Sequence, residues 1–278
     1  MKFNPKRLIV AAAAMAVATQ AASAAFTFNN GDLILGFQAT SGMGSTKNVF
    51  FNLGSPIAYR DGTGVANIGN ISTTLNAVFS TQTTNWYDRS DVYFGVIANL
   101  NTESPTGFDN PGQVGGDPSR TFYLSAPATA PGSGLSYAPN TFASSSLGTA
   151  GSNLAGLEAN LPGFTTEADG AAILDQGTQP VQWNNSWTIR NPTPGASFGT
   201  LTGGIQQNFG KVTDSTYVDL QRVLASNTGA NPTGVIGGGT YETTFAIGRN
   251  GSITAVPEPS TALLGTLGVL ALLRRRRA

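Results

Sequence analysis

The chain of 278 residues contains no histidine and no cysteine. That double absence excludes disulfides, structural zinc sites, Ser-His-Asp triads, Cys-His nucleophiles and histidine-ligated haem. Charge is scarce too: Asp, Glu, Lys and Arg make up 11% of the sequence, against about 25% in ordinary soluble domains. A chain so poor in charge is not held open by self-repulsion, and its 40% apolar content suffices for a sizeable core. Glycine is abundant, at 35 residues.

The first residues carry an ordered set of signals. Lys2, Lys6 and Arg7 precede an apolar run from Leu8 to Ala18, and the small-residue triplet Ala22-Ser23-Ala24 follows. Positive flank, short apolar stretch and A-x-A site in that order describe a secretory signal peptide over 1–24. Signal peptidase is expected to read Ala22 and Ala24, so the mature chain starts at Ala25 after passage through the secretion machinery.

At the other end, Ser260 to Leu273 is an uncharged stretch of 14 residues, followed by Arg274, Arg275, Arg276 and Arg277. As a helix it would reach about 21 Å, short for a hydrocarbon core of about 30 Å. The arginines can snorkel to the headgroups and resist translocation, which makes 260–273 a transmembrane segment with a cytoplasmic arginine stop and an outside body. Just before it, Pro257 and Pro259 hold Glu258 in an extended peptide suited to protease recognition.

Pro257-Glu258-Pro259, the short Leu/Gly/Ala-rich span and the terminal arginines together resemble a PEP-CTERM sorting signal over 256–278. The resemblance implies a Gram-negative protein exported through the inner membrane, held there by its tail and cut near the Pro-Glu-Pro tripeptide by an exosortase. Pro257, Glu258 and Pro259 would then be recognition residues of a substrate. Proteins with such tails are associated with the cell surface, extracellular polysaccharide and biofilm matrix.

Once both ends are set aside, the body from Ala25 to Ala255 keeps 8 basic and 14 acidic residues, net −6. Its cations are scattered singly, with no basic stripe to neutralise a phosphate backbone, so nucleic acid is not an expected partner.

The body reads as one strand-rich domain over 25–255. Candidate strands are Phe26 to Phe28, Leu33 to Gln38 after a turn at Asn29 to Asp32, Val49 to Leu53, Val92 to Leu100, Thr121 to Ser125 and a segment around Trp187 and Ile189. Tyr217 to Leu224 fits both periods, alternation through Val218, Leu220 and Leu224 and a helical face through Leu220, Val223 and Leu224; the need of the following hairpin for a neighbour favours a strand. The sharpest pattern is a hairpin: Tyr241, Thr243, Phe245 and Ile247 share one face, Asn250-Gly251 suggests a type I′ turn, and Ser252 to Val256 returns straight into Pro257 without a linker. Helical spacing is sparse: Ile71, Leu75, Val78 and Phe79 behind Asn70 as N-cap, and a brief turn over Glu167 to Leu174. Pro105 to Pro139 and Gly229 to Gly239 read as loops. Recurrent strands with one or two short helices predict a mainly β fold, a β-sandwich or jelly-roll.

Candidate chemistry is thin. Asp88 and Asp91 flank Trp86 and Tyr87, the composition of an acid pair beside a sugar platform, although such residues more often cap turns. Asp109, Asn110 and Asp117 offer oxygen ligands to calcium without any recognised calcium motif, a weak cofactor indication. Asp61-Gly62-Thr63-Gly64 and Gly237-Gly238-Gly239 lack the Lys-Ser/Thr of a phosphate loop and read as turns. Trp183 and Trp187, four apart, would share a strand face and could stack on sugars, against the commoner fate of tryptophan in a core. Three classes follow: a non-catalytic structural or adhesive surface protein, a carbohydrate-binding module, and a secreted glycoside hydrolase using a carboxylate pair.

Overall fold

The computed structural model describes residues 26–61, 64–99, 117, 121–137, 142, 144–164, 166–193, 196–201, 204–210, 213–224 and 239–256. The signal peptide, the sorting tripeptide, the apolar span and the terminal arginines lie outside these residues. Among the described residues no helix is long and apolar enough to cross a membrane.

The mainly β expectation holds, but the strands form one continuous antiparallel sheet, bent into a half-barrel, instead of a two-sheet sandwich or jelly-roll. In chain order its strands are β1 (Leu33–Ala39), β2 (Lys47–Gly54), β3 (Asn67–Asn70), β4 (Val92–Asn99), β5 (Phe122–Ala128), β6 (Ala172–Asp175), β7 (Gln206–Asn208), β8 (Ser215–Val223), β9 (Gly239–Gly248) and β10 (Ser252–Val256). Across the sheet they run β3-β10-β9-β8-β5-β4-β1-β2-β6, with β7 also on β4. The helices are α1 (Pro56–Arg60), α2 (Ser72–Phe79), α3 (Ser144–Glu158), α4 (Pro180–Trp183) and α5 (Trp187–Arg190).

One sheet can replace two because both of its faces are apolar and both are covered. Period-2 alternation sends Leu33, Leu35, Phe37 and Ala39 of β1 to the inner face, with Val92, Phe94, Val96 and Ala98 of β4 and Phe245 and Ile247 of β9. The curl is filled by Leu75, Val78 and Phe79 of α2 and by an aromatic group in which Phe209 lies 4.9 Å from Phe94, 4.9 Å from Trp86 and 5.2 Å from Tyr87. On the outer face Ile34, Phe50, Ile97, Phe122 and Leu124 meet Leu147, Ala150, Leu154 and Leu157 of α3, together with Trp183 and Trp187. A sandwich would cover that second face with strands; here helices do it.

Several local expectations need correction. Helices number five among the described residues, and α3 runs for 15 residues through Ser- and Gly-rich sequence. Poor intrinsic propensity is overridden there by a buried Leu/Ala stripe. Trp187 and Ile189 lie on α5, where the Ser186 hydroxyl accepts the Ile189 N–H at 3.2 Å as an N-cap. Glu167 to Leu174 forms a turn and then β6, with a bridge between Thr166 and Ala172. Phe26 to Phe28 is not a strand; the Phe26 N–H bonds the Phe164 carbonyl at 3.1 Å. Asn70 sits one position ahead of the N-cap Ile71, and its side chain accepts the Ser72 N–H at 2.9 Å.

The hairpin of β9 and β10 and the strand at β8 are present as expected. Its turn is not type I′: Gly251 alone is left-handed, at φ 76°, and its N–H bonds the Gly248 carbonyl at 2.8 Å. That is the three-residue connection of a type I turn closed by a left-handed glycine.

Candidate functional site

Antiparallel registers place the start of β1, the ends of β2, β4, β8 and β10, and the starts of β5 and β9 at one end of the half-barrel. The Pro-Glu-Pro tripeptide follows the last residue of β10, Val256, so the chain leaves the sheet at this end. Val256 is fixed there: it pairs with Thr244, and its carbonyl accepts the Thr243 hydroxyl at 3.2 Å. On the other side of β10 the Ala255 N–H bonds the Ala66 carbonyl at 2.8 Å.

The same end holds the densest charge in the described molecule. Tyr123 of β5 stands directly opposite Arg222 of β8, both on the inner face, and Glu242 of β9 occupies the irregular register beside Leu220 and Gln221. Asp117 is buried among them. Its Oδ1 lies 3.1 Å from Arg60 Nη1 and 2.9 Å from Arg222 Nη1, and its Oδ2 accepts the Tyr123 hydroxyl at 2.7 Å. Arg222 also approaches Glu242, Nε to Oε1 at 3.0 Å, although neither atom gains an aligned hydrogen bond. Arg60 bonds Asp61 at 2.7 Å.

The electrostatics follow from burial. Loss of water pushes the Glu242 carboxyl up to about 7, with Arg222 opposing and Asp117 adding to the rise. Burial, and then Asp117, raises the Tyr123 phenol as well. One carboxylate ringed by cations beside a second carboxyl near neutrality is the electrostatic pattern of an acid–base pair. Geometrically it is a clamp: both Asp117 oxygens are engaged, and the group ties α1, β5, β8 and β9 together.

Most residues singled out in the sequence are used by the fold. Asp91 pairs with Arg89 at 2.7 Å and accepts the Ser41 hydroxyl at 2.8 Å; Asp88 pairs with Arg249 at 2.5 Å. All three tryptophans are buried, Trp86 and Trp187 at 0% exposure and Trp183 at 6%, so neither expected sugar platform stands open. Tyr87 is equally buried, under the Arg249 guanidinium 5.1 Å from its ring. Asp117 faces arginines, while Asp109 and Asn110 lie outside the described residues. Among the described residues no group of three acidic side chains could hold a metal ion. Gly239 opens β9; Gly62, Thr63, Gly237 and Gly238 lie outside the described residues.

Sequence reasoning passed over Arg60, Tyr123, Arg222 and Glu242. The available signal was Arg222, which falls on the inward phase of β8 after Val218 and Leu220; a charge at an inward position demands a buried partner.

Residues 255–277 match the family model of the PEP-CTERM protein-sorting motif. The match begins within β10, at Ala255. No curated protein and no solved structure matches the chain.

Proposed function

We propose that this exported, exosortase-sorted chain, marked as such by its PEP-CTERM motif, is a non-catalytic structural or adhesive component of the cell surface or extracellular matrix. The observation that carries this reading is how the described charges are spent. Lys47, Arg60, Arg89, Arg222 and Arg249 each pair with a carboxylate, and Arg190 is held by Asn153 and Asn185. Asp219 is consumed by the N–H groups of Gly132 and Gly134 and the Thr244 hydroxyl. A body whose polar groups serve its own fold suits a scaffold role.

Within this reading Ala22 and Ala24 direct signal peptidase, Pro257, Glu258 and Pro259 are read by exosortase, and Arg274 to Arg277 stop transfer. Three residues, 257–259, separate β10 from the apolar span at Ser260. Fully extended they bridge about 10 Å, so before cutting the body rests close to the membrane.

The test is fractionation of cells making the chain with and without Pro257-Glu258-Pro259, with mass spectrometry of the mature ends. The reading expects removal of the arginine tail and arrival at the surface or in the medium, both lost in the deletion. A full-length chain retained in the cytosol with both ends intact would refute it. One observation favours a second reading, a glycoside hydrolase: Asp117 and Glu242 share Arg222. Activity on polysaccharide that disappears in Glu242→Gln would replace the scaffold reading.

A further inference from the structure

Asp219 and Gln221 lie on the outward phase of β8, between the inward Val218 and Leu220, and are buried to 0% and 1% exposure. Both are spent on one loop, residues 129–137. Asp219 accepts the Gly132 N–H at 3.1 Å and the Gly134 N–H at 2.6 Å. Gln221 donates to the Leu135 carbonyl at 3.1 Å and accepts the Tyr137 N–H at 3.0 Å. The Ser136 hydroxyl donates to the Gly239 carbonyl at 2.8 Å, and the Gly239 N–H returns to the Tyr137 carbonyl at 2.7 Å. The backbone is therefore fixed on both sides of Leu135. Its side chain alone stands out, 87% exposed, the most of any large hydrophobic among the described residues.

One exposed leucine needs no explanation in itself; its place on the sheet gives this one a neighbour. Gly239 opens β9 at the end where the tail leaves. Val256 pairs with Thr244, which pairs with Asp219; three residues further along β9, Tyr241 pairs with Gln221. Pro257-Glu258-Pro259 can advance by at most about 10 Å, the rise of three strand residues. The uncharged span from Ser260 therefore starts no farther out than the level of Gln221 and of the Leu135 that it holds. Neighbouring strands lie about 4.8 Å apart, so Leu135, over β8, stands about 10 Å to the side of β10.

We propose that Leu135 is a membrane contact: in the uncut chain its side chain enters the lipid surface beside the tail and seats the body against the bilayer. The inference rests on the membrane-held stage of the proposed function. Lipid is the occupant because the short tether leaves this loop no room to stand clear of the bilayer, and its flanking residues Gly134 and Ser136 carry no charge to dehydrate. Burying one leucine biases partition by about tenfold to a hundredfold. That orients a tethered body and is too weak to hold a free one, so cutting the tail releases it.

The test uses the uncut full-length chain in phosphatidylcholine vesicles, with an environment-sensitive fluorophore on Leu135→Cys or on Val181→Cys. Val181 is 74% exposed on α4, which follows β6 beyond Asp175, the partner of Lys47 at the opposite end of the sheet. The label at 135 should shift to the blue and be quenched by nitroxides on the upper acyl chain. The label at 181 should do neither, and removal of the tail should abolish the difference. With the label moved to Val65→Cys, Leu135→Asp should weaken quenching by headgroup nitroxides and Val181→Asp should leave it unchanged. A chain that floats with the vesicles but shows no better acyl quenching at 135 than at 181 would overturn the inference alone. So would a blue shift that grows with protein density without acyl quenching, the mark of contact between copies. A chain that does not float would refute the membrane-held stage and the inference with it.

Discussion

Gly36→Ala adds one methyl group to the centre of β1 and should cost more stability than any glycine-to-alanine change in open space. Trp187 lies flat against the outer side of Gly36: a Cβ there would stand 2.4 Å from the indole Cδ2 and Cε3 and 2.7 Å from Cε2. Ordinary contact starts at 3.4 Å, so the ring would have to retreat by about 1 Å. It has nowhere to go, since its neighbours are Phe50 at 6.4 Å and Phe198 at 5.8 Å between centroids. Its Nε1 also donates to Gln206 Oε1 at 2.9 Å, and Gln206 in turn bonds Gln38 and the Asn191 carbonyl. Overpacking costs about 1–3 kcal/mol and a strained buried hydrogen bond about 1 more. The expected loss is therefore about 2–4 kcal/mol, read as a lower urea midpoint at unchanged slope and a Tm lower by roughly 5–15 °C. Gly163→Ala is the control, because nothing lies within 4 Å of its added methyl and no positive φ is required. If Gly36→Ala falls within about 0.5 kcal/mol of the parent, the close contact with Trp187 does not exist as described.

Asp117→Asn leaves Arg60 and Arg222 facing a neutral amide and should destabilise the domain by about 3–5 kcal/mol in chemical denaturation; a neutral result would dismiss the clamp. The three indoles should resist acrylamide quenching in the folded chain and become accessible in urea; strong native quenching would restore the exposed platform. Glu158 and Glu242 both titrate at about 7 when folded against 4.5 as the reference. Acids raised on folding stabilise fully below 4.5 and lose that contribution as pH climbs through about 7, so the Tm should fall between pH 5 and pH 8. Glu158 alone accounts for up to about 3 kcal/mol of this. With no histidine in the chain, only the α-amino group otherwise titrates in the window. A Tm that rises from pH 5 to pH 8 would refute the assignment.

The strands of the sheet were legible because alternation is a local property: Leu33, Leu35 and Phe37 announce β1, and Tyr241 to Val256 announces the terminal hairpin. The closure into one sheet was not, because β4 pairs with β5 across a long connection and β10 with β3 across more than half the chain. No local pattern distinguishes two packed sheets from one bent sheet covered by helices on its outer side. Trp187, Thr188 and Ile189 are residues that favour strands, and only the Ser186 cap argued otherwise. The clamp was half visible. Arg222 broke an inward apolar phase, but its partners Asp117, Arg60 and Glu242 come from segments that only the fold brings together.

Under the proposed function, a tail that leaves the sheet at one end gives the body an orientation on the membrane, and the absence of cysteine makes that orientation measurable. Val65 precedes the Ala66 carbonyl that bonds Ala255, beside the exit of the chain, and is 64% exposed. Met43 sits in the β1–β2 turn at the opposite end, 47% exposed. The ten residues of β9 alone span about 30 Å, so the two positions stand far apart along the sheet. In the uncut full-length chain reconstituted into bilayers, a fluorophore on Val65→Cys should be quenched by spin-labelled headgroups more strongly than one on Met43→Cys. Removal of the tail should abolish the difference. Equal quenching at both sites before removal would mean that the three residues ahead of Ser260 do not hold the body against the bilayer, and the orientation argument would fail while the fold itself stood.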